Sequence, residues 1–120
     1  MSDGGRLTTH VLDTALGRPA AGVAVRLHAM EEGGRRLVAE TATNADGRCD
    51  APLMAGAAMA AGTYELEFGA GDYFAAAGLS LPEPRFLDTV VLRFGISEPG
   101  AHYHVPLLIS PYGYSTYRGS

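Results

Sequence analysis

Hydrophobic residues in this chain fall in short runs that alternate with small or polar residues, and turn-forming residues separate the runs. Gly22-Val23-Ala24-Val25-Arg26-Leu27-His28 alternates in this way, and Tyr64-Glu65-Leu66-Glu67-Phe68 does so cleanly. A period of two puts successive side chains on opposite faces of an extended backbone, so both runs predict half-buried β-strands. Phe86 to Phe94 predicts a longer strand, with Val90, Leu92 and Phe94 on one face and Val91 and Arg93 on the other. Leu7 to Leu12, Arg36 to Thr43, Tyr103 to Ile109 and Tyr114 to Arg118 predict further strands, and Arg48 to Leu53 is a weaker candidate. Between the runs lie turn signals such as Gly17-Arg18-Pro19, Asn44-Ala45-Asp46-Gly47 and Ser110-Pro111-Tyr112-Gly113, where Gly supplies positive φ and Pro removes a donor. Seven or eight short strands at this spacing predict an all-β sandwich. One short helix is predicted from about Asp72 to Ala77, stopped by Gly78, and Ala55 to Ala61 reads as a loop.

Composition narrows the functional classes. A length of 120 residues predicts a single domain over 1–120 that can bury a core without disulfide or metal staples. Nine Arg and no Lys stand against 13 Asp plus Glu, and the net charge of −4 argues against nucleic acid as a partner. The apolar runs fall far short of the roughly 20 residues a membrane-spanning helix needs, so no membrane partner is expected. The opening residues carry no apolar leader segment, and the expected setting is the cytoplasm. A single cysteine, Cys49, cannot form an internal disulfide.

The histidines are the first candidates for chemistry. His102 and His104 are two residues apart, which puts both rings on one face of a strand. Tyr103, Val105, Leu107 and Ile109 form the more apolar opposite face and suit the core, so the histidine face is expected to look outward, toward solvent or another subunit. Two such rings could make half a metal site, but His10, Asp46 and Cys49 offer no recognisable ligand spacing, and no metal is expected. Arg48, just after Asn44-Ala45-Asp46-Gly47, reads either as a surface residue or as a cation aimed at an anion or a carbonyl oxygen. It could also lower the pKa of its neighbour Cys49, although no catalytic-cysteine signature surrounds that thiol. The end of the sequence, Tyr114-Ser115-Thr116-Tyr117-Arg118-Gly119-Ser120, still reads as a strand at its last residues.

Three segments carry a resemblance to a known family. Leu7-Thr8-Thr9-His10-Val11-Leu12-Asp13 with Gly17-Arg18-Pro19-Ala20 resembles the first strand and turn of the transthyretin-like family, and Thr43-Asn44-Ala45-Asp46-Gly47-Arg48 resembles its second signature. His102 to Ser120 is similar to its C-terminal signature almost throughout, and Ala51 to Ala61 matches least. Within the family, the ending Tyr117-Arg118-Gly119-Ser120 resembles the enzyme branch, which hydrolyses 5-hydroxyisourate, rather than the hormone carriers.

The resemblance implies a transthyretin-like two-sheet β-sandwich of about eight strands with one short helix. It implies a homotetramer, built as a dimer of dimers, with sites in clefts where the dimers meet. It places the family's catalytic residues on His10, Arg48, His104 (rather than His102) and Ser120, and a substrate contact on Tyr117. The implied reaction opens the six-membered ring of 5-hydroxyisourate at an acyl C–N bond, without cofactor or metal, giving 2-oxo-4-hydroxy-4-carboxy-5-ureidoimidazoline in urate breakdown. The alternative is a non-catalytic carrier that uses the channel between subunits as a ligand pocket.

Overall fold

The computed structural model describes residues 4–119. Nine β segments, one α-helix and one 3₁₀ turn follow in chain order: β1 (Arg6–Asp13), β2 (Arg18–Pro19), β3 (Ala24–Glu31), β4 (Gly34–Ala42), β5 (Met54–Ala55), the 3₁₀ turn (Gly56–Ala58), β6 (Gly62–Gly69), α1 (Ala70–Ala76), β7 (Thr89–Ile96), β8 (His102–Ser110) and β9 (Gly113–Thr116). One sheet runs β2-β1-β8-β9, with β5 also paired to β1, and the other runs β4-β3-β6-β7. Every pairing is antiparallel except β1 with β8, which is parallel.

The expected two-sheet sandwich is therefore present, and its core follows the alternation. Leu7 and Val11 of β1, Val25 and Leu27 of β3, Leu66 and Phe68 of β6, Val90 of β7, and Leu107 and Ile109 of β8 are buried between the sheets. Removing this apolar surface from water is the main drive for the two sheets to stack. The helix has only seven residues, too few to hold itself together in water. It is held by burying Tyr73 and Phe74, whose rings meet edge to face at 5.1 Å. No helix among the described residues is long and apolar enough to cross a membrane.

Five expectations need correction. Ala55 to Ala61 is not loop throughout, since Ala55 ends β5 and Gly56–Ala58 forms a 3₁₀ turn. The strand expected from Phe86 starts at Thr89. Pro82 and Pro84 lack N–H donors on the approach, Arg85 is drawn to Asp72 and Asp88 at 2.6 and 3.0 Å, and Phe86 is 71% exposed. Arg48 to Leu53 forms no strand; only the single bridge between Arg48 and His10 and the short β5 beyond it pair with β1. Arg18 and Pro19, expected within a turn, pair with β1 as the short β2. The last strand stops at Thr116 rather than Arg118. Opposite the next position stands Pro106, which has no N–H to offer, and its carbonyl accepts a hydrogen bond from the Thr116 hydroxyl at 2.8 Å. Tyr117 and Arg118 leave the ladder, and the Gly119 N–H returns to the His104 carbonyl at 2.6 Å.

A buried carboxylate ties β1 to the helix. Asp13 is 1% exposed. Its Oδ1 accepts from the N–H groups of Ala15 and Leu16 at 2.9 and 2.8 Å, and its Oδ2 accepts from the Tyr73 hydroxyl at 2.7 Å. Asp13→Ala strands all three donors, and we expect a loss of about 3 kcal/mol in urea unfolding. A loss below about 1 kcal/mol would mean that water replaces the carboxylate without penalty.

Candidate active site

The parallel pairing of β1 with β8 sets Thr8 opposite His104, Arg6 opposite His102 and His10 opposite Pro106. On β1, Leu7, Thr9, Val11 and Asp13 point into the sandwich, so Thr8 and His10 point out. On β8, His102 and His104 are half-buried while Tyr103 and Val105 are buried, as the alternation predicts. The two histidines thus share an outward face with Thr8 between them. The Thr8 hydroxyl lies 2.8 Å from His102 Nε2 and 2.8 Å from His104 Nδ1.

The loop of Asn44 to Arg48 brings the cation to this face. The Asn44 side-chain oxygen accepts from the N–H groups of Asp46 and Arg48, its amide donates to Asp50, and its backbone N–H donates to the Arg48 carbonyl. Such an Asx-type closure is what Asn offers at a turn. Gly47 is required twice over. Its φ is +76°, and a Cβ there would collide with the carbonyl of Val11. The Gly47 carbonyl accepts from the Val11 N–H at 2.8 Å, which seats the loop on β1 and pairs Arg48 with His10. Among the described residues, no carboxylate pairs with the exposed Arg48 guanidinium.

A cleft of about 550 Å³ is walled by Thr8, His102, His104, Arg48, Cys49 and Arg6, among others. His10 is not part of that wall. It lies one step along the outward face of β1, and its Nε2 is 3.0 Å from the Asp46 carbonyl. A carbonyl only accepts, so Nε2 carries the proton, and the neutral ring is left with a bare Nδ1.

Electrostatics hold the rings uncharged. Burial and then the charge of Arg48 lower the His10 pKa from its ordinary 6.5. Burial, Arg48, His102 and His10, in that order, lower that of His104. Burial, Arg6 and Arg118 lower that of His102. Near neutral pH the site therefore offers neutral imidazoles beside a permanent guanidinium, a set suited to moving protons around a polarised carbonyl. The Cys49 thiol runs opposite to the expectation drawn from its neighbour Arg48: burial and the Asp50 charge raise its pKa, which leaves it protonated and a poor nucleophile. Among the described residues no cluster of His, Cys, Asp and Glu converges to hold a metal ion, and His102 and His104 are joined through Thr8 instead.

Arg48 and His104 thus share one cleft, with His10 beside it. Tyr117 does not reach it; its ring is 63% exposed and walls a separate groove between β7 and β9. Ser120 lies outside the described residues. Sequence reasoning passed over Thr8, because a parallel partner nearly a hundred residues away leaves no trace in local pattern.

The HIUase/Transthyretin family profile matches residues 7–119. The chain belongs to this family. It is 64% identical, over the full length of both chains, to the 5-hydroxyisourate hydrolase 2 of Rhizobium meliloti strain 1021. Its structure is similar to that of an (S)-allantoin synthase, at a TM-score of 0.93 and 48% identity, and the chain covers 44% of that longer protein, with 98% of its own residues matched. It is also similar to sea bream transthyretin in complex with thyroxine, at a TM-score of 0.85 but 29% identity, covering 95% of this chain and 94% of that one. Fold is shared across the family, while identity is far higher to the hydrolase.

Lowered histidine pKa values have a readable sign. The folded rings release protons more readily than the unfolded ones, so their contribution to stability is intact above about 6.5 and declines as pH falls below it. In an NMR titration His10 and His104 should show midpoints below 6.5, and Arg48→Gln should raise both. Midpoints unmoved by Arg48→Gln would remove the guanidinium as a cause.

Proposed function

We propose that this protein hydrolyses 5-hydroxyisourate to 2-oxo-4-hydroxy-4-carboxy-5-ureidoimidazoline, with His10, Arg48 and His104 carrying the reaction. The observation that supports this most is the convergence on one outward face of two imidazoles whose pKa values are lowered and a guanidinium that has no carboxylate partner among the described residues, in a chain 64% identical to a 5-hydroxyisourate hydrolase.

Opening the ring at an acyl C–N bond has three requirements. The His10 Nδ1, bare because Nε2 is spent on Asp46, takes a proton from water as the oxygen attacks the carbonyl carbon. Arg48 holds the carbonyl oxygen as it becomes an oxyanion, with no change in its own protonation. His104 gives a proton to the departing nitrogen as the C–N bond breaks. Each proton transfer is worth roughly 10²–10⁴-fold in rate. The half-buried ring of His104 stays in place because the returning tail packs against it and the Gly119 N–H is bonded to its carbonyl. Ser120, the next residue, belongs to the same constellation in this proposal and orients the water or a histidine.

The same reading includes a homotetramer, a dimer of dimers. Two observations support it. The strands β7 and β9 lie at the free ends of their sheets, and uncovered edges invite pairing with another chain. The outward face of β1 and β8 continues past the histidines into half-buried Leu12 and Leu108. Tyr117, exposed and away from its own cleft, contacts substrate only in such an assembly.

The test follows the decay of 5-hydroxyisourate, generated in place by urate oxidase, in the ultraviolet. Substoichiometric protein should accelerate the decay, and His104→Asn should lower kcat by about 10²-fold or more while unfolding at nearly the native denaturant midpoint. Stoichiometric binding of the substrate without turnover would make the protein a carrier. Extending the chain beyond Ser120 with a tag should cost activity but not folding; full turnover in the tagged protein would dismiss the Ser120 role.

A further inference from the structure

One hydroxyl serves two imidazoles in this site, and that arrangement restricts what each ring can be. The Thr8 oxygen is 2.8 Å from both His102 Nε2 and His104 Nδ1. A hydroxyl has one proton to donate. If both facing nitrogens were bare, one would meet the oxygen lone pair to lone pair. If both carried protons, the oxygen would accept from both rings and its own proton would leave the line between them, so no proton could pass from one ring to the other. A relay between the rings therefore needs one facing nitrogen protonated and the other bare, and the tautomers of the two rings are then opposite and coupled.

We propose that Thr8 locks this pair in one sense, His102 Nε2–H to Thr8 Oγ1–H to His104 Nδ1, so that His104 presents Nε2–H to the cleft and His102 feeds it protons through the hydroxyl. The inference rests on the hydrolase reading for its choice of direction. His10 is fixed by the Asp46 carbonyl with a bare Nδ1, which suits it to take the proton of water, and the proposed function assigns the donor for the leaving nitrogen to the other ring. The groups around the rings agree. Arg48 and His10 face His104 and, with burial, keep it neutral, which leaves a choice between two neutral tautomers. Burial, Arg6 on β1 and Arg118 in the tail disfavour a second proton on His102, which leaves it too with a choice between two neutral tautomers.

The chain also explains how a neutral imidazole can act as an acid without becoming an anion. As His104 Nε2–H protonates the leaving nitrogen, the Thr8 proton moves to His104 Nδ1. The His102 Nε2 proton moves to Thr8, and His102 takes a proton from solvent at Nδ1. His10 returns to solvent the proton it took from the attacking water, so no net proton is gained or lost. Before the next turnover water protonates His104 Nε2, the Nδ1 proton of His104 returns to Thr8, the Thr8 proton returns to His102 Nε2, and His102 Nδ1 releases its proton to solvent. In this scheme His104 is the catalytic residue, and Thr8 and His102 are positioning residues that act through it.

The experiment combines long-range ¹H–¹⁵N NMR of the imidazoles, on the full protein near neutral pH, with steady-state kinetics. In the native protein His104 Nδ1 should resonate as a bare nitrogen and His104 Nε2 as a protonated one. Thr8→Val keeps the shape but removes the hydroxyl; the preference of His104 should be lost, and kcat should fall about 10–100-fold with KM little changed. Thr8→Ser should restore both the tautomer and most of kcat. His102→Gln can still donate to Thr8 but cannot pass a proton on, so it should keep the His104 tautomer and still lower kcat. A protonated His104 Nδ1 in the native protein would overturn the proposal, as would a Thr8→Val protein with native tautomer and native kcat. The NMR arm does not depend on turnover. A protein that shows the coupled tautomers but no hydrolysis would refute the proposed function and leave the lock standing.

Discussion

The parallel pairing of β1 with β8 is the constraint on which the site depends. Among the strand pairings of the described residues only this one is parallel, and it joins the first strand to one nearly a hundred residues later. Parallel neighbours advance together, so residues i and i+2 on the same side of each strand stay in step. That is why Thr8 faces His104 while remaining within reach of His102 one step back. The same pairing places His10 farther along the face and gives the Arg48 loop a backbone edge to sit on. A one-residue slip of β1 against β8 would turn Thr8 and His10 into the core and bring Leu7 and Val11 out. The burial of Leu7, Val11, Leu107 and Ile109 opposes that slip, so the hydrophobic core sets the register that aligns the polar face.

How much of this could be read from sequence depends on the range of each interaction. Strand faces were legible, because a period of two reports burial residue by residue; the Val90-Leu92 and Tyr103-to-Ile109 faces are buried as the pattern requires. Strand ends were less legible, since they turn on single backbone donors. Pro106 ends β9 from across the sheet, and the prolines before Thr89 delay β7, although both segments carry strand-like side chains. The proposed site was legible chiefly through the resemblance, which drew on the motifs around His10, Arg48 and His104. Local pattern alone left Arg48 open between a surface residue and a cation with a task. Thr8 was missed because its significance lies in two partners 94 and 96 residues away.

The loop that carries Arg48 shows how a flexible cation is made useful. Arginine has many rotamers, and holding it by ion pairing would spend its charge. Here the backbone is fixed instead: Asn44 closes the loop with its side chain, and Gly47 fits a space under Val11 that no side chain could occupy. Among the described residues the guanidinium has no carboxylate partner, while its field still reaches His10 and His104 and disfavours their protonation. One permanent positive charge thus serves two ends in the proposed reaction. It would hold the oxyanion, and its field disfavours a second proton on either neighbouring ring.

Fold alone does not separate an enzyme from a carrier in this family, since the chain matches a thyroxine-bound transthyretin over 95% of its length. The separation has to come from the outward face, which the core leaves free to vary. A carrier of an apolar ligand gains by an open, dry wall. This face instead sets two imidazoles against one hydroxyl and adds an exposed guanidinium, groups that would each lose hydration on binding an apolar guest. Their arrangement is costly for storage and well matched to a reaction in which a carbonyl oxygen gains charge while protons are taken from one side and returned from the other. The polar face therefore argues for turnover on physical grounds that do not depend on identity to any relative.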